Sequence, residues 1–265
     1  MISLQDITVT FNPRTPLAMR ALNGLNLDIA TGEFITVIGS NGAGKSTLLN
    51  IISGEQTPDR GCVIMANCDV TTWKTSRRAK LVGRVFQNPL AAYCTQLTIE
   101  ANLALAAHRG RRRYLHFALT NPMRTHFREA LAELGLGLEN RLTDRMGLLS
   151  GGQRQAISLL MATLSSQLQI LLLDEHTAAL DPQTAKDILN LTNRLVRTHA
   201  LTTLMVTHSL KQALSLGDRT VMLHQGRVIF DISGEVRSRL TVDDLLDEFE
   251  RVRGEQLSDD ELLLG

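Results

Sequence analysis

The 265-residue sequence predicts an α/β fold, and three observations carry that prediction. Runs of strand length, apolar or alternating, recur along the chain. Helical periodicities fill the intervals between them. One nearly all-apolar strand passes through a glycine-rich turn directly into a helix. Hydrophobic residues make up 43% and charged residues 21%, which excludes disordered, collagen-like and fibrous chains and leaves ample core for one large domain or two smaller ones.

Residues 2–11 alternate as I-S-L-Q-D-I-T-V-T-F, the period of a half-covered strand, and residues 25–29 alternate again. After a turn at Ala30-Thr31-Gly32-Glu33, residues 34–38 read F-I-T-V-I, the mark of a strand buried on both faces. A helix then opens at Lys45 and runs to about Ser53. Short strands are expected at 62–65 and 81–86, the second ending at Gln87-Asn88-Pro89. From Thr98 to about Leu164 the pattern is helical, with periodic segments at 99–108, 123–134 and 151–164. Strand signals return at 170–173, 202–206, 221–223 and 227–230, with helices at 181–198 and 209–215 between them. Gln225-Gly226 reads as a hairpin turn. The expected organisation is one domain over residues 1–238, its core at about 1–89 and 166–238 and a helical subdomain inserted at about 90–165. An acidic helical tail follows at 239–265. No internal repeat or low-complexity segment is visible.

Composition excludes several functions. Cys62, Cys68 and Cys94 are odd in number and form no C-x-x-C pair, so they read as reduced thiols rather than a disulfide framework or zinc site. Aromatic content of 4% is low for a single-stranded nucleic-acid platform, and no long basic helix is present, so no nucleic-acid partner is expected. No apolar run approaches membrane-spanning length, and the N-terminus lacks a signal-peptide pattern, so the chain is expected in the cytosol. Residues 241–265 carry nine acids and two bases, a net −7 against +8 elsewhere. That bias reads as a solvated helix packed on the body, with a docking tail as the alternative. The basic run His108-Arg109-Gly110-Arg111-Arg112-Arg113 reads as a solvated loop, with contact to anionic headgroups as the alternative.

Gly39-Ser40-Asn41-Gly42-Ala43-Gly44-Lys45-Ser46-Thr47 fits G-x-x-x-x-G-K-[ST] between a buried strand and a helix. Such a loop must turn several backbone N–H groups toward one anion, and glycines at 39, 42 and 44 permit the turn. The helix start adds its positive end. Lys45 is placed for the β- and γ-phosphates of a nucleotide and Ser46 for Mg²⁺.

Ile170-Leu171-Leu172-Leu173-Asp174-Glu175 buries four apolar residues and delivers Asp174 to the carboxyl end of a strand, where ligands of α/β sheets sit. Asp174 is a candidate for holding Mg²⁺, and Glu175 for activating the attacking water. Leu149-Ser150-Gly151-Gly152-Gln153 marks a second helix start suited to an anion, with Ser150 as the cap and two glycines exposing N–H groups. One triphosphate rarely needs two such sites on one chain.

The ordered set G-S-N-G-A-G-K-S-T, F-Q-N-P, L-S-G-G-Q, L-L-L-D-E, A-A-L-D and V-T-H resembles the nucleotide-binding subunit of ABC (ATP-binding cassette) transporters, over about residues 2–235. The resemblance implies a P-loop NTPase, RecA-like core with an antiparallel β subdomain, and an ATPase that uses ATP and Mg²⁺. It implies that Gln87 senses Mg²⁺ and the attacking water and links to a membrane partner. It places Asp181 at a dimer seam, His208 at the γ-phosphate, and Phe11 under the adenine as a stacking ring in place of the more usual Tyr. His176 stands where most members have proline, and nothing in the sequence assigns it a role.

The resemblance further implies two copies closing head to tail, each ATP lying between one copy's phosphate loop and the other's Ser150, Gly151, Gly152 and Gln153. Transmembrane permease subunits are expected as partners, at the cytoplasmic face of a bacterial inner membrane. Residues 174–182 and 240–246 look most like a bacterial group that works with a binding lipoprotein and a separate permease, some members being linked to tryptophan or tyrosine uptake. An exporter ATPase and a soluble, non-transport cassette remain the alternatives.

Overall fold

The computed structural model describes residues 1–109, 119–248 and 250–251. The chain begins with β1 (Ile2–Phe11), β2 (Met19–Ile29) and β3 (Phe34–Gly39), then α1 (Lys45–Ser53), β4 (Arg60–Met65), β5 (Cys68–Asp69), α2 (Thr75–Arg78) and β6 (Val82–Val85). Three helices follow, α3 (Ile99–Ala107), α4 (Asn121–Ala132) and α5 (Gly151–Thr163). The chain then returns through β7 (Ile170–Asp174), α6 (Pro182–Thr198), β8 (Thr202–Val206) and α7 (Leu210–Ser215). It closes with β9 (Arg219–His224), β10 (Arg227–Ser233), α8 (Gly234–Arg239) and a helical stretch at 242–248 and 250–251. Among the described residues, no helix is long and apolar enough to cross a membrane.

A six-stranded sheet has the order β10-β9-β3-β8-β7-β6, parallel except for the β9–β10 hairpin. Every residue of β3, β7 and β8 is buried. Their near-continuous apolar sequences are therefore those of strands covered on both faces. Consecutive residues divide between two cores, as the strand period of two demands: Leu171 and Leu173 pack with Phe127, Ile157 and Leu195, while Ile170 and Leu172 pack with Leu22, Leu49 and Ile52. The first core joins the sheet to α3, α4, α5 and α6. The second lies between α1 and a four-stranded antiparallel sheet ordered β2-β1-β4-β5.

Two local features depart from the sequence expectation or explain it. Strand β2 begins at Met19, six residues before the alternation at 25–29 becomes readable, because its pairing with β1 contains register shifts. In the β9–β10 hairpin, Gln225 and Gly226 take φ of 44° and 73°, the two left-handed positions of a type I′ turn.

Arg78 is fully buried. Its guanidinium donates to the carbonyls of Ile51 and Ile52 at the end of α1 and to those of Val70 and Thr71. Burial lowers its pKa, with the charge of Asp69 pulling the other way. The negative end of α1 thus serves as its close counter-charge.

The tail helix is fastened by Leu245, fully buried against Ile38, Ala213 and Met222. Glu255, Asp259, Asp260 and Glu261 of the acidic tail lie outside the described residues, as do Gly110, Arg111, Arg112 and Arg113 of the basic run. Arg109 turns inward, its Nη2 donating to the Ala162 carbonyl at 3.0 Å, so it is not presented to headgroups.

Candidate active site

Strands β3, β8 and β7 lie side by side and parallel, so their carboxyl ends open onto one edge of the sheet. From β3 the chain enters the glycine loop and α1. From β7 it leaves at Asp174 and Glu175, and from β8 at Thr207 and His208. Topology alone therefore gathers three sequence-distant segments where α/β sheets bind ligands.

The loop geometry requires glycine at the start of α1. Gly44 has φ of 101°, and a Cβ there would sit 2.4 Å from the Ala21 carbonyl oxygen. Conformation and space both forbid a side chain. Lys45 follows, almost buried, its Nζ donating to the carbonyls of Gly39 at 2.7 Å and Ser40 at 2.9 Å. Burial pulls the pKa of this ammonium down, while the negative charges of Glu175 and Asp174 pull it up. Ser46 is exposed on the first turn and Thr47 is buried.

Glu175 sits at φ of 46°, a left-handed conformation unusual for a residue with a side chain. Its N–H donates to the Val206 carbonyl, which ties the turn to β8. Both carboxylate oxygens are engaged. Gln87 Nε2 donates to Oε2 at 2.8 Å, and His208 Nε2 lies 2.5 Å from Oε1. The His208 turn is braced by Thr207, whose hydroxyl donates to Gln212 Oε1 at 2.8 Å and accepts from the Ser209 N–H. A backbone conformation this costly persists only where its surroundings hold it, and such positions concentrate at functional sites.

These groups line one cleft of about 490 Å³: Asn41, Gly42, Ala43, Gly44, Lys45, Ser46, Thr47, Gln87, Glu175 and His208, with Met19 and Ala21 on its apolar side. Met19 and Ala21 carry no sequence signal, because the start of β2 carries none. Gly39 and Ser40 contribute the carbonyls behind Lys45. Asp174 lies at the end of β7, its Oδ2 accepting from Arg84 Nη2 at 2.8 Å. Phe11 is exposed opposite Met19 and is not among the residues lining the cleft.

The remaining candidates lie apart. Ser150 and Gln153 form a reciprocal capping box at the start of α5: Ser150 Oγ accepts from the Gln153 N–H at 3.2 Å, and Gln153 Oε1 accepts from the Ser150 N–H at 3.1 Å. Gly151 is exposed, and Gly152 passes so close to α6 that a Cβ would meet Thr184 Cγ2 at 2.4 Å. Asp181 caps α6, and hydrogen bonds from the Thr184 hydroxyl and backbone hold its carboxyl below the usual range. None of these lines the cleft, so the α5 start and the Asp181 cap form a surface separate from it.

His176 is buried, and desolvation lowers its pKa to about 4. Its Nε2 lies 3.0 Å from Thr192 Oγ1, whose own hydroxyl donates to the Ile188 carbonyl. Thr192 therefore accepts, and His176 is a neutral donor that pins the turn after Glu175 to α6.

A family model described as "ABC transporter" matches residues 22–178, more than half of the chain. The chain is 41% identical over 251 residues to a tyrosine transport ATP-binding protein of Clostridioides difficile (strain R20291), covering 94% of this chain and 99% of that protein. It is 35% identical to the thiamine import ATP-binding protein ThiQ of Salmonella typhimurium (strain LT2), with 86% and 88% covered. Among solved structures, it resembles the dimeric cassette MJ0796 bound to ADP and Pi, at 30% identity and a TM-score of 0.74, covering 88% of this chain and 98% of that one.

Proposed function

Because the chain belongs to the ABC transporter family and is a P-loop ATPase of that family, we propose that it powers import of an amino-acid-like solute through ATP-driven closure of two copies. One observation carries the mechanism: Lys45, Gln87, Glu175 and His208 converge in one cleft while Ser150 and Gly151 are exposed outside it. A nucleotide seated on the Gly39–Thr47 loop of one copy would be capped by the α5 start of the other. The dimeric MJ0796 cassette and the tyrosine and thiamine transport relatives support this reading.

The residues suit the reaction. The N–H groups opening α1 and the Lys45 ammonium meet the phosphates and stabilise charge as the terminal bond breaks. Glu175 accepts a proton from the attacking water, and Gln87 and His208 hold its carboxylate in place. Phe11 would stack on the adenine, and Asp181 would stand at the seam. The donors available to a metal are all oxygens, from Ser46, Gln87 and Asp174, which fits Mg²⁺ held jointly with substrate phosphates. When bound, Mg²⁺ would neutralise phosphate charge. Separate permease subunits, at the cytoplasmic face of a bacterial inner membrane, would receive the motion, and a solute-binding protein would deliver the cargo to them.

The test is size-exclusion chromatography of Glu175→Gln with ATP and Mg²⁺. A dimer that the parent protein does not accumulate supports the scheme; monomer alone overturns it. Uptake of labelled tyrosine or tryptophan into vesicles carrying the cognate permease tests direction and solute class.

A further inference from the structure

Arg84 is a charged residue in an otherwise apolar strand, V-G-R-V, and its side chain is only 9% exposed. Strand β6 pairs in parallel with β7, Arg84 opposite Leu172, so its side chain reaches Asp174 two residues further along. One guanidinium nitrogen donates to Asp174 Oδ2 at 2.8 Å. The other terminal nitrogen, Nη1, donates to Asn50 Oδ1 at 2.7 Å and to Glu55 Oε2 at 3.0 Å. Asn50 is on α1, four residues after Ser46, and so lies on the same helix face one turn along. Two of the three oxygen donors suited to Mg²⁺, the Ser46 hydroxyl and the Asp174 carboxylate, come from α1 and β7. One planar fork bonds to both of those elements.

We propose that Arg84 is a positioning residue that fixes the Asp174 carboxylate relative to the Ser46 face of α1 and thereby sets the affinity for Mg²⁺ with nucleotide. This inference rests on reading the cleft as a magnesium–nucleotide site. Arg84 commits Oδ2 and leaves Oδ1 free of this ion pair. The rigid fork constrains direction as well as distance, which a lysine cannot reproduce. Groups that orient a metal ligand typically govern affinity by an order of magnitude or more.

The test titrates Mg²⁺ against a fluorescent ATP analogue bound to the full-length protein. Arg84→Met should need about 10-fold more Mg²⁺ for half-maximal binding, with affinity in EDTA unchanged and Arg84→Lys lying between variant and parent. Asn50→Ala keeps the ion pair with Asp174 and should shift the midpoint the same way by less; it carries the test where Arg84→Met does not fold. A lower melting temperature with an unmoved Mg²⁺ midpoint would make Arg84 a structural ion pair and overturn the proposal. A lower midpoint would make Arg84 a charge that repels the metal, and would overturn the proposal equally. A parent protein whose analogue binding ignores Mg²⁺ would instead refute the magnesium–nucleotide reading, and the inference with it.

Discussion

His208 Nε2 stands 2.5 Å from Glu175 Oε1, joining the turn after β8 to the turn after β7 across 33 residues of sequence. With Gln87 on the second oxygen, the carboxylate is held from two sides. In the proposed mechanism, Glu175 so held is oriented before water arrives. His208→Ala should therefore lower kcat by about 10²-fold or more while leaving ATP affinity close to that of the parent. Steady-state kinetics and nucleotide titration on one preparation check both halves. A parental kcat would show that the contact has no part in turnover.

Lys45 contributes the cation nearest the loop carbonyls of Gly39 and Ser40. Lys45→Ala should abolish ATP hydrolysis, because the phosphates lose that charge in a partly dehydrated setting. Turnover at the parental rate, measured by phosphate release, would refute the assignment.

The separation of the cleft from the Ser150 capping box makes a mixing experiment decisive. Lys45→Ala and Ser150→Arg should each be inactive alone, the second by breaking the Ser150 cap and crowding the turn that the proposed closure sets against the nucleotide. Mixed, they can form dimers with one intact composite site. Phosphate release from the mixture should exceed that of either variant; equality with the separate variants would mean that sites are not shared.

His176 is neutral in the folded protein, with a pKa of about 4, against about 6.5 in the unfolded chain. A histidine depressed in this way stabilises fully above the unfolded value. That contribution is lost as pH falls toward 4, because the unfolded chain takes up the proton first. From pH 7 to pH 5 the parent should lose about 2 kcal/mol through this group. His176→Gln, which keeps a donor for Thr192 but cannot titrate, should lose that much less. Urea unfolding of both proteins at the two pH values gives the difference.

Arg78 satisfies four carbonyls from a buried position. Arg78→Met should destabilise the fold by about 3 kcal/mol or more, since several buried acceptors lose their donors together. Arg78→Lys should recover part of the loss. Thermal melting of the three proteins tests the order.

The strands, the helix starts and most of the residues lining the cleft were legible in the sequence, because each is encoded by local rules: strand period, cap residues, glycine where φ must be positive. Local rules cover Gly44, Lys45 and Ser150 because backbone conformation and capping depend on near neighbours. The same rules stop at β2, where register shifts hide Met19 and Ala21 from any periodicity. They are silent on Arg84, Arg78 and His176, whose partners lie as far as 90, 27 and 16 residues away. A charged side chain in an apolar strand, as Arg84 is, announces that it needs a partner, never which one; Arg78 and His176 stand among polar neighbours and announce nothing. That choice belongs to the parallel order of β3, β8, β7 and β6, which brings Arg84 to Asp174 and Glu175 to His208. The sequence by itself determined which side chains the chain brings to the cleft. Only the tertiary structure decided which groups meet, because sheet order is set by burial summed over the whole chain and not by any one segment.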